Sequence, residues 1–583
     1  MLLFIELGMF LLCAGVSAGY GESDYKYFLY TKNRRPIPRS RPKRCRRKAP
    51  FRSYDTSPNA FLTMKRYPGT ALCALLLFGG GTLRAQHKAQ LPVYQEIERS
   101  GNLYSRSHNP SALWFSPVGN LLDFHADYDI RRGDLHDVDE SSKINAFGVG
   151  ISGQQRFDKV ICSGSIAYND GKEYARRWNS TLQIADDNPF ILGDSIPSDF
   201  NIQRFNLCGT VAYKPLERLI LALRLDYDTG SSANQTDPRP KTDGMHFVIT
   251  PGVQYLMGGG FSLGLSGGFD LMSESISHEV IDPRESYVYF RFNGLGDYST
   301  ISTGTSLSYP RNYIGTEYTG ALQFAWDGGR GVANLLEATY ASSTQEARDG
   351  GAAFTFLGGD YSRTGFGVSD RLRFSNSRRT HNVIVGWDHK RVEGIWYEQT
   401  AYIDPDKNNQ VSYKVQASGL KNKETVSVFR AEYRFDKLRD GLPTFALHAA
   451  GRYEDSETIH YEGDGYNRSY TRIVGSVEAS KFFSFGLNRI TATLGVRGAA
   501  PITSSQHVQE RIKQAYTNPA FEYITATWIG GNAAVRYRRL FGKLWAGLYA
   551  EASLKRYIGE GNYTDLLEGT DSRRFTFGAE ILF

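Results

Sequence analysis

From residue 118 onward this chain keeps returning to runs of about ten residues in which apolar and polar side chains alternate with period two. In the first run Leu122, Phe124, Ala126, Tyr128 and Ile130 point one way, and Asp123, His125, Asp127 and Asp129 the other. Leu219 to Tyr227 and Leu544 to Ala552 repeat the pattern. One face of such a strand suits hydrocarbon and the other water, and about ten residues is what a tilted strand needs to cross a bilayer. Eighteen such strands can be marked, from 118–131 to 573–583.

The connections supply a second signal. Short turns, as at 154–158, 214–217 and 485–487, alternate along the chain with long segments, as at 170–202, 273–315 and 392–424. The expected fold is therefore all-β: a transmembrane antiparallel up-and-down β-barrel of about 18 strands, within a range of 14 to 20. Short turns belong in the periplasm and long loops outside, which places both termini in the periplasm and gives nine outer loops of about 210 residues in total. Three places fit less well. Asp370 falls on an apolar face, the pattern of strand 522–538 slips at Gly530-Gly531 as a β-bulge would make it do, and Tyr287 to Phe292 alternates inside a long loop, where it is assigned as a hairpin arm.

Composition agrees with strands and turns: 60 Gly, 36 Tyr and 34 Phe against 6 Met. After residue 85 no stretch approaches the roughly 18 apolar residues of a membrane helix. The net charge of +7 is misleading about partners. Residues 1–85 hold 15 Lys/Arg against 4 Asp/Glu, which leaves 53 of the 68 basic and 57 of the 61 acidic residues for the rest, so no nucleic-acid surface is expected. Met64, Lys65 and Arg66, the apolar run from Ala71 to Phe78 and the small residues before Ala85 read as a signal peptide over 64–85. Residues 1–63 then read as an upstream extension or a basic leader, 86–117 as a periplasmic lead-in or partial plug, and 118–583 as the barrel. Cys162 and Cys208 fall on opposite strand faces, so no disulfide is expected between them.

Several motifs suggest chemistry without the structural context that chemistry needs. Gly148, Gly150 and Gly153 spell a dinucleotide fingerprint inside a strand rather than at a strand-to-helix turn. Gly260 to Gly264 and Gly264 to Gly268 both fit the nucleophile-elbow pattern, again within a strand, which leaves Ser266 as a lipid-facing hydrolase candidate at most. Asp404 to Asn409 spaces oxygen ligands like a calcium loop but lacks its glycine and closing glutamate. No catalytic residue, metal ligand or cofactor is assigned. The expected water-facing charges are Asp123, Asp127, Asp129, Arg224, Arg430, Glu432 and Arg434, with Arg371, Arg373 and Glu551 beside them. Arg430, Glu432 and Arg434, on one strand, are the best cluster for a selective constriction; a wet, self-paired interior is the alternative.

Phe575, Phe577, Ala579, Ile581 and Phe583 share one face of the last strand, which resembles the closing strand of bacterial outer-membrane barrels. That resemblance implies that Phe575, Phe577, Ile581 and Phe583 form a signal for the barrel-insertion machinery. Asn109-Pro110 followed by small residues resembles the N-terminal hatch of fatty-acid-transporter-type barrels. Asn188 to Ser195 and Gln235 to Pro240, with the terminal strand, resemble a Bacteroidota family of outer-membrane barrels labelled only as a domain of unknown function, over about residues 95–583. This implies an integral outer-membrane location in contact with lipid, without a substrate or an oligomeric state. The leading expectation is a channel or transporter for a small solute rather than an enzyme. A surface-binding or adhesion protein anchored by its barrel is the alternative, and an outer-membrane hydrolase the third reading. A TonB-dependent transporter is disfavoured because only about 32 residues stand between residue 86 and the first strand.

Overall fold

A computed structural model of the chain describes residues 90–583, apart from 283, 285, 305–309, 351–355, 408 and 462–464. The assignments to 1–63 and 64–85 lie outside the described residues. Eighteen strands form one closed antiparallel sheet. Each pairs with its barrel neighbours in chain order, and the ring closes where Leu121–Arg132 pairs with Asp571–Leu582, Asp123 opposite Leu582 and Arg132 opposite Arg573. The backbones of Leu122 and Phe583 exchange hydrogen bonds of 2.9 and 3.3 Å at the end of that seam. Closure leaves no unpaired strand edge, the requirement that hydrocarbon imposes. No helix among the described residues is long and apolar enough to cross a membrane.

Side-chain alternation becomes an outside and an inside. Leu494, Leu548 and Phe577, 68%, 64% and 51% exposed, stand on the outer surface, whereas Gln254, Gln323 and Glu337 point inward and are buried. Ser266 also faces inward and is buried, not lipid-facing as its motif suggested. Cys162 pairs across from outward Val211, and Cys208 across from Ser165 on the other face; both thiols are free. Outward Asp370 accepts a 2.6 Å hydrogen bond from Asn334 on the adjacent strand, which satisfies a carboxylate on the otherwise apolar face.

Three expectations are corrected. The strand expected over 522–538 begins only at Trp528, because Asn518–Thr525 is a helix whose Pro519 suits a first turn and whose Phe521 and Glu522 are buried. The pairing on both sides of Gly530-Gly531 shows no register shift, so the slip in pattern came from reading helical residues as strand rather than from a bulge. The outer loops are also much shorter than expected on one wall, where Arg379–Asp404 and Gln410–Arg439 run for 26 and 30 residues. Above the apolar belt both faces of a strand meet polar surroundings, so alternation fades while ladder hydrogen bonding continues.

The long-loop end carries further structure. Ser286–Gly294 and Asp297–Gly304 form a hairpin containing the arm expected at Tyr287 to Phe292, and Leu192–Gly193 adds to it as a third strand. Trp178, Phe292 and Tyr516 pack together and tie this sheet to two other loops.

Candidate functional site

The residues before the first strand lie against the inner wall at the short-turn end. Tyr94–Gly101 is a short helix whose Tyr94 and Ile97 share a face, and these pack with Leu91 against Val118, Trp545 and Leu582. Asn109 then caps the turn Pro110–Phe115 by accepting from the Ser111 amide at 3.0 Å, and Pro110 takes the first position, where no donor is needed. This explains the Asn-Pro pair locally. Its wider environment is built for it: the Asn109 amide donates to Gln323 Oε1 at 2.9 Å and to the Val253 carbonyl at 3.0 Å, and a Cβ on Gly252 would collide with Asn109 and Pro110.

Charged wall residues hold the same segment. Arg106 donates twice to Glu432 at 2.7 Å, Arg434 pairs with Glu96 and Asp436, and Arg371 and Arg373 donate to the carbonyls of Leu103 and Gly101. Glu337 accepts from Ser107 at 2.6 Å and from the Gln323 amide at 2.9 Å, and stands 2.6 Å from His108 Nδ1. That carboxylate favours the charged imidazole and raises the His108 pKa above its ordinary value, more than burial lowers it. Tyr94 donates to Asp123 at 2.6 Å. Arg538, gripped by Glu580 at 2.6 and 2.9 Å, donates to the Pro92 carbonyl.

At the opposite end, loop 177–197 folds inward. Arg311, paired at its base with Asp349 at 2.8 Å, and Tyr313, at 2.7 Å, both donate to the Phe190 carbonyl. Asn188 donates to Gln345 at 2.9 Å, and Asp187 meets Lys390 at 2.5 Å and the Tyr361 hydroxyl at 2.6 Å. Burial pushes the Asp194 carboxyl up to about 6. The Asp187 carboxyl goes down, because Lys390, Tyr361 and Arg363 together outweigh its burial.

Against the inner wall lies a cavity of about 330 Å³, lined by Arg363, Asp388, Lys390, Glu424, Arg452 and Tyr470 among others. A model for a family of unknown function, DUF6850, matches residues 110–583. The chain belongs to that family. For this DUF6850 member a comparison with curated proteins finds no match. Among solved structures it is similar to the ferric preacinetobactin receptor BauA from Acinetobacter baumannii, with 8% identity, TM-score 0.36 and 80% of each chain covered. It is also similar to the outer membrane transporter YddB from Escherichia coli, with 8% identity, TM-score 0.37 and coverage of 80% and 81%. A Pseudomonas aeruginosa FadL homologue gives 10% identity, TM-score 0.32 and coverage of 83% and 95%.

The water-facing residues singled out in the DUF6850 sequence are not brought together into one ring. Asp129 accepts from Arg574 and Thr576 at the seam, Asp127 faces Gly148, and Arg224 pairs with Asp226 two residues on. Arg430 reaches Asp388 at 2.7 Å beside the cavity, whereas Glu432 and Arg434 hold the N-terminal segment. Sequence reasoning missed Gln254, Gln323, Glu337 and Asp187. The first three carried a signal, since each is a polar inward residue within about six positions of a short turn.

The other motifs resolve into packing. Gly150 leaves room for the ring of His125, and Gly264 for Gln254 and Gln323, which accounts for glycines that mimic nucleotide and hydrolase patterns. Asp404 ends a strand and accepts from the Asp406 amide at 3.0 Å, as in an Asx turn.

Proposed function

We propose that this protein is an integral outer-membrane barrel that passes or binds a small solute, with the N-terminal segment as a plug at its periplasmic mouth. The carrying observation is the cavity of about 330 Å³ on an inner wall lined with charges, beside side chains that engage the inward-folded loop 177–197. A barrel of 18 strands is wide enough to leave an aqueous interior. The plug is held by side-chain contacts rather than by strand pairing, so it can leave without opening the sheet. On this reading the short turns and both ends of the barrel domain face the periplasm, and the long connections face outward.

Single-channel recording in planar bilayers tests this. The native chain is expected to give rare openings, and Glu337→Ala combined with Arg434→Ala frequent or permanent ones. Absence of current from both would leave the barrel as an anchor. A specific feature favours a second, surface-binding role: the ribbon of 396–404 with 410–420 continues past its neighbours' pairing and exposes Tyr402, Ile403 and Val411.

A further inference from the structure

Within the cavity the charged groups differ in how completely the protein satisfies them. Asp388 is paired with Arg430 at 2.7 Å, and Glu454 accepts from Tyr470 at 2.6 Å and Arg472 at 3.2 Å. Among the described residues Glu424 receives the Ser456 hydroxyl alone, at 3.5 Å. Lys390, which also lines the cavity, meets a carboxylate that is not part of the wall, Asp187 of the inward loop, at 2.5 Å, whereas Arg363 beside it is held by Glu317 of the wall at 2.5 Å and stands 3.9 Å from Asp187. Lys390 is thus occupied by a carboxylate from the inward loop, and among the described residues Glu424 forms no ion pair within 4 Å, the charges of Lys390 and Arg468 acting on it from farther off.

We propose that this cavity binds a small zwitterion of the amino-acid or short-peptide class, whose carboxylate takes the place of Asp187 on Lys390 and whose ammonium group meets Glu424. The exchange substitutes one carboxylate for another at Lys390, so that half-buried cation keeps an anionic partner. Asp187 is then an internal competitor for the cation that the ligand's carboxylate would take. A volume of about 330 Å³ lies within the range of small-ligand pockets. The proposal rests on the solute-passage reading but is tested by binding, which requires no open pore.

Isothermal titration of the detergent-solubilised full chain with L-alanyl-L-alanine, its N-acetyl form and its C-terminal amide separates the two ends of the ligand. Asp187→Asn is expected to bind the dipeptide about tenfold tighter than the native chain, since the ligand no longer competes with the loop. The amide should bind neither chain measurably, and Glu424→Gln should erase the preference for the free dipeptide over the N-acetyl form. Heat-modifiable gel mobility checks that each variant retains its barrel. Unchanged affinity in Asp187→Asn, binding of the amide as tight as that of the acid, or no heat from either chain overturns the proposal. Swelling of liposomes in glucose tests the channel separately: a chain that admits glucose without binding dipeptide loses this proposal alone.

Discussion

The two ends of the barrel are closed by different physical means. At the short-turn end one continuous segment, Gln90 to Pro117, is fastened to at least six strands by isolated polar contacts, with small apolar clusters between them. At the other end several loops pack on one another around Phe190, Trp178 and Phe521, with buried polar contacts such as those of Arg311 and Tyr313 to the Phe190 carbonyl set among the apolar side chains. An end held mainly by hydrogen bonds and ion pairs can be released by changes in charge. An end held by shared apolar packing opens only if several loops move together.

Each end has one deeply buried ion pair at its base, and breaking these sharpens the contrast most. Glu580→Ala leaves Arg538 buried without its carboxylate, and Asp349→Ala does the same to Arg311; each is expected to cost about 4 kcal/mol. Limited proteolysis in bilayer vesicles should show cleavage near residues 90–101 in the first variant and near 177–197 in the second. Cleavage at both sites in either variant would mean that the two ends are coupled. Next in size is Phe190→Ala. Phe190 is 1% exposed and packs with Met272, Ile276 and Tyr361, so its loss should cost about 3 kcal/mol, read as a lower midpoint of urea unfolding.

This contrast explains which parts of the molecule were legible beforehand. Strand number, inward and outward faces and closure follow from alternation, because an apolar outer face and a polar inner face impose a local pattern on every strand. The hairpin at Ser286–Gly294 was legible for the same reason. The extensions of Arg379–Asp404 and Gln410–Arg439 were not, since beyond the apolar belt nothing enforces alternation. The last half of the helix Asn518–Thr525 falls within the strand expected over 522–538, because Tyr523 and Thr525 extend its alternation by chance. The closures themselves were hardest to see. Asp187 with Lys390 and His108 with Glu337 join residues more than 200 apart in sequence, and even where one partner, Glu337, stands out as a polar inward residue near a short turn, nothing local marks which residue it meets.

Titration should act on the two ends in different windows. At the long-loop end Asp194 is raised to about 6 by burial, so its contribution is fully present below its unfolded value of about 4 and is lost as pH rises from there to about 6, on the order of 3 kcal/mol. At the short-turn end His108 is raised by Glu337, so its contribution is fully present below about 6.5 and disappears as pH climbs through its higher folded value. Hydrogen exchange followed by mass spectrometry from pH 4 to 9 should show residues 177–197 loosening first and 102–111 later. The reverse order would remove both assignments.

The smallest effect is expected where the contact looks best in distance alone. Arg106 makes two hydrogen bonds of 2.7 Å to Glu432, yet its side chain is 55% exposed and Glu432 keeps His448 at 3.3 Å when the arginine is gone. A solvated ion pair whose acceptor retains a second partner contributes less than about 1 kcal/mol. Arg106→Ala should therefore leave the unfolding midpoint unchanged within error and raise hydrogen exchange only over residues 102–108. If instead Arg106→Ala opens the channel as fully as the Glu337 and Arg434 double variant, one exposed arginine controls the plug and the distributed fastening described for this end is wrong.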